Sequence, residues 1–181
     1  MVIMLLKVVV FMAEFWDIYN KQGKKKNKVI RKGQPLLNGE YHLIVEGWIR
    51  CGEDTFLIQK RSANKKLFPN MWYCSLGGSV QAGEDAKQGL IREAKEELGI
   101  DISNDLIKLK RIITENYCIF YIYLIERDID LKEIVLQKEE VADVKIATKS
   151  EICDLIKNNE MIYLDYYQKF FENIEKVPYL R

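Results

Sequence analysis

Hydrophobic and polar residues alternate along much of the first half of the chain, which is the pattern of β-strands with one buried face. The pattern predicts two short extended segments around a turn at Gln22-Gly23. It then predicts a strand over 40–50, a tight turn carried by Gly52 and Asp54, and a strand over 55–62. Residues 62–70 are predicted as a loop closed by Pro69, and residues 71–80 as extended chain.

The apolar spacing changes to three and four over residues 84–98, and it does so again over 148–159 and 164–176. This spacing predicts one helix in the middle of the chain and two near its end, the first of which is capped by Thr148 or Ser150. Between them, residues 105–116 and 117–129 predict antiparallel strands joined around Glu115-Asn116, and residues 141–147 a further strand. We therefore expect an α/β fold, with helices packed on a mixed sheet.

The first 14 residues form an apolar segment whose assignment stays open. About a dozen apolar residues are interrupted by Lys7, whereas a membrane span needs about 20. No basic region precedes the run, which argues against a signal peptide. The segment is either an extra element packed on the domain or chain ahead of a start at Met12. We assign residues 15–181 to one domain and expect a cytoplasmic protein without a membrane partner.

Charge and cysteine content exclude some classes of partner and site. Lys plus Arg number 28 and Asp plus Glu 27, so no global field favours nucleic acid or membranes. The basic run over 24–32 lacks interleaved aromatic residues, so it predicts a solvated hairpin end, with RNA or polyphosphate as the alternative. The four cysteines include no C-x-x-C pair and predict free thiols.

A set of aromatic residues in the last helix predicts core packing or a homodimer surface: Tyr163, Tyr166, Tyr167, Phe170 and Phe171.

Three glutamates, Glu93, Glu96 and Glu97, fall within an arc of roughly 100° on the predicted helix over 84–98. Like charges at this spacing destabilise a helix by a few tenths of a kcal/mol per pair, about 0.2–0.5, so helix stability does not favour them. A hard divalent cation such as Mg²⁺ or Mn²⁺ would reverse that effect. The alternative is a solvated face of a surface helix.

The ends of the same helix fit a ligand site. Asp85 and Gln88 have the spacing of a capping box, and Gly99 is a natural left-handed terminator. Gly77 and Gly78 precede the helix and have no Cβ, so their backbone can approach a ligand or ion closely.

Residues 78–100 resemble the Nudix box, G-x5-E-x7-R-E-U-x-E-E-x-G-U, in which U is a bulky aliphatic residue. Both long spacings are intact, and only Ala94 departs from the pattern, which affects packing. The matching positions are Gly78, Glu84, Arg92, Glu93, Glu96, Glu97, Gly99 and Ile100. The resemblance implies an α/β/α sandwich and Mg²⁺- or Mn²⁺-dependent hydrolysis of a diphosphate within a nucleoside diphosphate linked to another group.

The resemblance also implies a role for each matching side chain. Arg92 would orient the glutamates, Glu84 would support the helix end through a salt bridge, and Gly99 would end the helix. The metal ligands would be Glu93, Glu96, Glu97 and the carbonyl of Gly78. The base that accepts the proton of water would be Glu96, with Glu139 or Glu140 as alternatives on a loop.

Residues 15–155 more widely resemble the isopentenyl-diphosphate isomerase branch of this superfamily. Such isomerases carry a catalytic Cys in a C-G-H triplet, where this chain has Gly77-Gly78-Ser79. Cys74 lies three residues too early, which along a strand is roughly 10 Å. The isomerase metal site uses several histidines, and this chain has only His42, for which a structural role is favoured over metal binding. Hydrolysis is therefore the main prediction, with isomerisation and non-catalytic nucleotide sensing as alternatives.

Three further residues are candidates for contacting the small-molecule diphosphate. Lys60 and Arg61 would bind a phosphate, Arg61 through a bidentate fork, or else would mark the solvated end of a strand. Trp72, or Tyr73 beside it, would stack on a base.

Overall fold

The computed structural model of the protein describes residues 13–176. Most of the apolar segment 1–14 lies outside this range, so its assignment and the extent of the single domain over 15–181 remain predictions. Within the described range, no helix has both the length and the apolar character needed to cross a membrane.

The strands form a small hairpin and one large mixed sheet. Strands β1 (Phe15–Tyr19) and β2 (Lys25–Arg31) pair with each other. The larger sheet has the order β5-β4-β3-β8-β7, in which β3 and β8 are parallel and the other pairs antiparallel; β6 also pairs with β3, and β9 with β4. Its strands are β3 (His42–Arg50), β4 (Thr55–Arg61), β5 (Trp72–Tyr73), β6 (Leu76–Ser79), β7 (Leu106–Glu115), β8 (Cys118–Glu126) and β9 (Val141–Thr148).

Helices cover both faces of the sheet and make an α/β/α sandwich, as the resemblance implied. On one face, α1 (Ala86–Leu98) buries Leu90, Ala94 and Leu98 against β3 and β6. On the other face, α2 (Lys149–Lys157) and α3 (Tyr167–Glu172) pack around Trp48, which is fully buried. Thr148 caps α2 through a capping box with Glu151.

Two local predictions need correction. The extended stretch over 71–80 is two strands, because β5 pairs with β4 while β6 pairs with β3. The last helix is only six residues long, and the chain before it is irregular. Its aromatic residues nevertheless form core as predicted, since Tyr166, Tyr167 and Phe170 are buried, whereas Tyr163 is half exposed.

Candidate active site

Helix α1 is fixed at both ends, so the direction of its glutamates is set by the fold. Asp85 accepts a hydrogen bond from the backbone N–H of Gln88, and the Gln88 side chain accepts one from the Asp85 N–H. Gly99 ends the helix at a φ of 70°. Because Leu90 and Leu98 are buried in the core, Glu93 and Glu97 lie on successive turns facing β6.

Glu93 occupies the space above Gly78 that any other residue's side chain would fill. A Cβ built on Gly78 would lie 2.2 Å from Glu93 Oε1 and 2.3 Å from Cδ. Such a separation is far below van der Waals contact, so Gly78 is required for the carboxylate to reach the backbone of β6. The side chain of Glu93 is 13% exposed, and burial raises its pKa.

Glu97 is the most buried of the three glutamates, at 5% exposure. Its Oε2 accepts hydrogen bonds from Gln59 Nε2 at 3.0 Å and from the backbone N–H of Gly77 at 3.3 Å. Burial, followed by the charge of Glu93, raises the pKa of Glu97 to about 8. The two carboxylates therefore repel each other in a poorly solvated site, which is the electrostatic condition that a cation relieves.

Arg92 links Glu84, in the loop before the helix, to Glu93 and Glu96 on the helix. Its Nε donates to Glu84 Oε1 at 2.8 Å, and its Nη1 donates to Glu93 and to Glu96, each at 2.8 Å. Nη2 donates to the carbonyl of Ser79 at 2.9 Å, which ties the helix to the end of β6. Glu84 also accepts the N–H of Gln81, so it holds the loop before the helix. Glu96 is about half exposed.

The loop that precedes β9 runs along the C-terminal end of α1. Its Gln137 N–H donates to the carbonyl of Glu97 at 3.1 Å. Glu140 pairs with Lys65 and lies near enough for its charge to contribute to the raised pKa of Glu97. Glu139 is exposed. The structure thus brings Glu140 to the edge of the glutamate cluster and leaves Glu139 in solvent.

The three candidate substrate contacts lie on the neighbouring strands β4 and β5. Lys60 Nζ lies 5.8 Å from the centre of the Trp72 ring, and Lys145 Nζ lies 4.6 Å from it. Arg61 donates from Nε and Nη2 to the carbonyl of Leu67, and its guanidinium lies 5.8 Å from the Tyr73 ring.

Gln59 of β4 points to Glu97, so the next residue, Lys60, and its cross-strand partner Trp72 project to the other face of the sheet, where Trp72 packs against the core around Trp48. The structure therefore does not bring Lys60 or Trp72 to the glutamates, and Arg61 supports the loop after β4.

The donor set at α1 fits a hard divalent cation, although the side chains do not yet form a complete coordination site. Among residues 13–176, no three His, Cys, Asp or Glu side chains are arranged so that they could hold a metal ion. Glu93 and Glu96 share Arg92, and a cation would have to draw both carboxylates away from it. All donors are oxygens, which is the preference of Mg²⁺ and Mn²⁺.

His42 and Cys74 are packed among other side chains, which supports a structural role for both. The His42 ring stacks on Trp16 with centroids 3.9 Å apart and 5° between the planes, and its Nε2 lies 3.2 Å from Cys118 Sγ. Burial lowers the pKa of His42 to about 4. Cys74 is fully buried in the core opposite α1, and its thiol donates to the carbonyl of Leu76.

The basic run over 24–32 is largely engaged in contacts within the domain. Lys25 pairs with Asp17, Lys28 with Glu40 and Lys32 with Glu14. The first and third pairs join the two sides of the β1-β2 hairpin, and the pair of Lys28 with Glu40 ties the hairpin to the chain before β3.

Sequence reasoning missed a buried polar group behind the site. Glu46 has no exposed surface and accepts hydrogen bonds from the hydroxyls of Tyr73 and Tyr166. Trp48 Nε1 donates to the Tyr166 oxygen at 3.1 Å. The signal was present, because Glu46 falls on an inward position of an otherwise apolar strand, where a carboxylate needs partners.

Comparison with known proteins identifies similar families and folds. A family model described as the NUDIX domain matches residues 41–170. An uncharacterised Nudix hydrolase of Listeria innocua is 36% identical over 161 residues, which cover 88% of this chain and 94% of that protein. An isopentenyl-diphosphate delta-isomerase of Salmonella heidelberg is 29% identical over 87 residues, which cover 48% of each chain.

Solved structures show the same architecture. The crystal structure of a Deinococcus radiodurans protein superposes with a TM-score of 0.73 at 22% identity, covering 88% of this chain and 98% of that one. The NUDIX domain of Shewanella oneidensis NrtR, solved with ADP ribose, superposes with a TM-score of 0.57 at 16% identity, covering 75% and 87%.

Proposed function

The chain belongs to the Nudix family, and we propose that it hydrolyses the diphosphate of a nucleoside diphosphate linked to another group, with Mg²⁺ or Mn²⁺ as cofactor. The observation that carries this proposal is the pair of buried carboxylates, Glu93 and Glu97, packed against the backbone of Gly77 and Gly78. Two buried carboxylates at one site would bind a divalent cation, and the bound cation would in turn bind a polyanion such as a diphosphate.

Each side chain would have its own role in such a reaction. Glu93, Glu96 and Glu97, with the carbonyl of Gly78, would hold the cation. In the metal-free site Arg92 keeps Glu93 and Glu96 side by side through Nη1, and the cation would take the place of that contact. The bound cation would neutralise the diphosphate and lower the pKa of the attacking water. In the step itself, the water oxygen bonds to phosphorus, the anhydride P–O bond breaks, and the leaving phosphate takes the electron pair.

One carboxylate accepts the proton that the water loses. Glu96 is the first candidate because it is the most exposed of the three helix glutamates, so it can pass the accepted proton on to solvent. Glu140 is the stronger of the two loop alternatives, since it lies close to Glu97, whereas Glu139 is exposed. Of the three predicted substrate contacts, Arg61 stays a candidate for a phosphate contact, whereas Lys60 and Trp72 lie on the sheet face away from the glutamates.

Hydrolysis is supported over isomerisation by the surroundings of Gly77, which stands where isomerases have their cysteine. A Cβ at Gly77 would lie 3.1 Å from Tyr73 Cε1 and 3.2 Å from the carbonyl oxygen of Val45. The Tyr73 ring thus takes up the side of the strand on which a thiol would project. Non-catalytic sensing is disfavoured because the full set of box glutamates is present.

The test is a substrate panel assayed with Mg²⁺ by phosphorus NMR. The panel contains nucleoside triphosphates, dinucleoside polyphosphates, nucleotide sugars, ADP ribose, coenzyme derivatives and isopentenyl diphosphate. ADP ribose is included because a NUDIX domain of this fold has been solved with it. We expect cleavage of an anhydride bond in at least one nucleotide. Isomerisation of isopentenyl diphosphate without hydrolysis, or nucleotide binding without turnover, would overturn the proposal.

A further inference from the structure

A buried amide, Gln59, lies beside Glu97 on strand β4. The residue is 2% exposed, and a buried amide is costly unless it is hydrogen-bonded. Its backbone is in register with Val144 of β9 on one side and with Tyr73 of β5 on the other. Because strands hold Gln59 on both sides, its side chain extends from a rigid part of the sheet.

The hydrogen bonds of Glu97 distinguish its two carboxylate oxygens. Gln59 Nε2 donates to Oε2 at 3.0 Å, and the backbone N–H of Gly77 donates to the same oxygen at 3.3 Å. Within the part of the chain that the structure describes, no group donates to Oε1. The amide of Gln59 must present its NH2 group here, since its own oxygen can only accept, as a carboxylate oxygen does. Oε2 is therefore held by the protein, and Oε1 is left to bind a ligand.

Glu97 also differs from the other two helix glutamates in the charge of its partners. Glu93 and Glu96 both pair with Arg92, so a cation has to replace the guanidinium at these two carboxylates. Among residues 13–176, no lysine or arginine pairs with Glu97, and both of its donors are neutral. Neutral donors favour the ionised carboxylate, which is the form that binds a cation. Glu97 can therefore keep its orientation when a cation binds.

We propose that Gln59 is a positioning residue that holds Glu97 through Oε2, so that Glu97 meets the cation with Oε1. The proposal rests on the proposed function for the presence of a cation at this site. It adds a residue outside the glutamate helix, on β4, that acts on the cation through Glu97. Residues that orient metal ligands in this way commonly change metal affinity by about 10- to 100-fold when they are replaced.

The first experiment measures Mn²⁺ binding to the full chain without nucleotide, by electron paramagnetic resonance of the free ion. Gln59→Met keeps the length of the side chain but has no N–H to donate. Gln59→Asn keeps the amide but withdraws it by one methylene. Each variant should raise the Kd for Mn²⁺ by about tenfold.

Gln168→Met is the matched control for this experiment. Gln168 Nε2 donates to Glu172 Oε1 at 2.9 Å on the exposed side of α3, so the same substitution removes an amide-to-carboxylate hydrogen bond far from α1. We expect its Kd for Mn²⁺ to equal that of the wild type. Urea unfolding in the presence of a chelator checks that each variant unfolds cooperatively. If the apolar side chain of Gln59→Met prevents folding, Gln59→Asn carries the test.

The second experiment separates positioning from a merely structural role. Hydrolysis of the best substrate of the panel is measured as a function of Mg²⁺ concentration. Each Gln59 variant should need about tenfold more Mg²⁺ for half-saturation, whereas kcat at saturating Mg²⁺ should stay within about threefold of the wild type. A structural role would lower kcat or stability without changing the Mg²⁺ requirement.

The outcomes separate this inference from the proposed function. Mg²⁺-dependent hydrolysis with an unchanged Kd for Mn²⁺ in both Gln59 variants would overturn the inference alone, as would an equal change in Gln168→Met. A fall in kcat with an unchanged Mg²⁺ requirement would also overturn it. Weaker Mn²⁺ binding by both Gln59 variants, in a protein that hydrolyses nothing in the panel, would uphold the positioning role and refute the proposed hydrolysis.

Discussion

Glu46 makes the stability of the protein depend on pH in a way that can be worked out from its surroundings. The carboxyl is fully buried and is contacted by the hydroxyls of Tyr73 and Tyr166. Burial raises its pKa from an ordinary value of 4.5 to about 7, the two hydroxyls partly offset this, and the charge of Glu115 adds to it. The folded protein therefore holds a proton that the unfolded chain releases.

The sign and size of the effect follow from this difference. Stabilisation by the bound proton is fully present below pH 4.5 and is lost as the pH rises towards 7. The shift from 4.5 to about 7 corresponds to about 3 kcal/mol in total. Roughly 2.5 kcal/mol of it lies between pH 5 and pH 8, because the unfolded carboxyl is already largely ionised at pH 5.

The assay is urea unfolding of the wild type and Glu46→Gln at pH 5 and pH 8. A glutamine at this position cannot ionise, so the variant should lose about 2.5 kcal/mol less unfolding free energy than the wild type over that interval. Glu53→Gln, which removes an exposed carboxylate, should follow the wild-type profile. Equal pH dependence in the wild type and Glu46→Gln would show that Glu46 does not hold a proton in the folded protein at pH 5.

Two further predictions concern the reaction. Gly78→Ala places a Cβ 2.2 Å from Glu93 Oε1, so the carboxylate must move. We expect weaker Mg²⁺ affinity and a fall in kcat/KM of about 100-fold, with an unchanged circular dichroism spectrum. Full activity would contradict this placement of Glu93. Glu96→Gln, assayed with Mg²⁺ on the best substrate of the panel, should lower kcat by about 100-fold. A larger fall in Glu140→Gln or Glu139→Gln would assign the base to the loop.

Local rules were sufficient to predict most of the fold. The capping box at Asp85, the left-handed end at Gly99 and the apolar spacing of Leu90, Ala94 and Leu98 define α1 within the chain itself. The turn between β7 and β8 was found for the same reason, since its signals are adjacent in sequence. The fixed spacing of the glutamates then gave the candidate site, because a helix converts spacing directly into direction.

Strand pairing and side-chain contacts between residues far apart in the chain could not be predicted from the sequence. The division of residues 71–80 into β5 and β6 depends on two different partner strands. The contact of Gln59 with Glu97 joins residues from separate elements, as does the contact of Tyr166 with Glu46. No local pattern encodes these contacts, although Gln59 and Glu46 are both polar residues at buried positions of largely apolar strands.

The proposed hydrolysis of a diphosphate depends most on the buried carboxylate pair acting as a cation site. The direct measurement is Mg²⁺-dependent release of product by Glu97→Gln, with Glu53→Gln as the matched exposed control. Glutamine keeps the size of the side chain and an oxygen that accepts hydrogen bonds from Gln59 and Gly77, but it removes the charge. We predict that Glu97→Gln folds and loses at least about 100-fold in Mg²⁺-dependent turnover. Turnover equal to the wild type would show that Glu97 is not part of a cation site needed for hydrolysis.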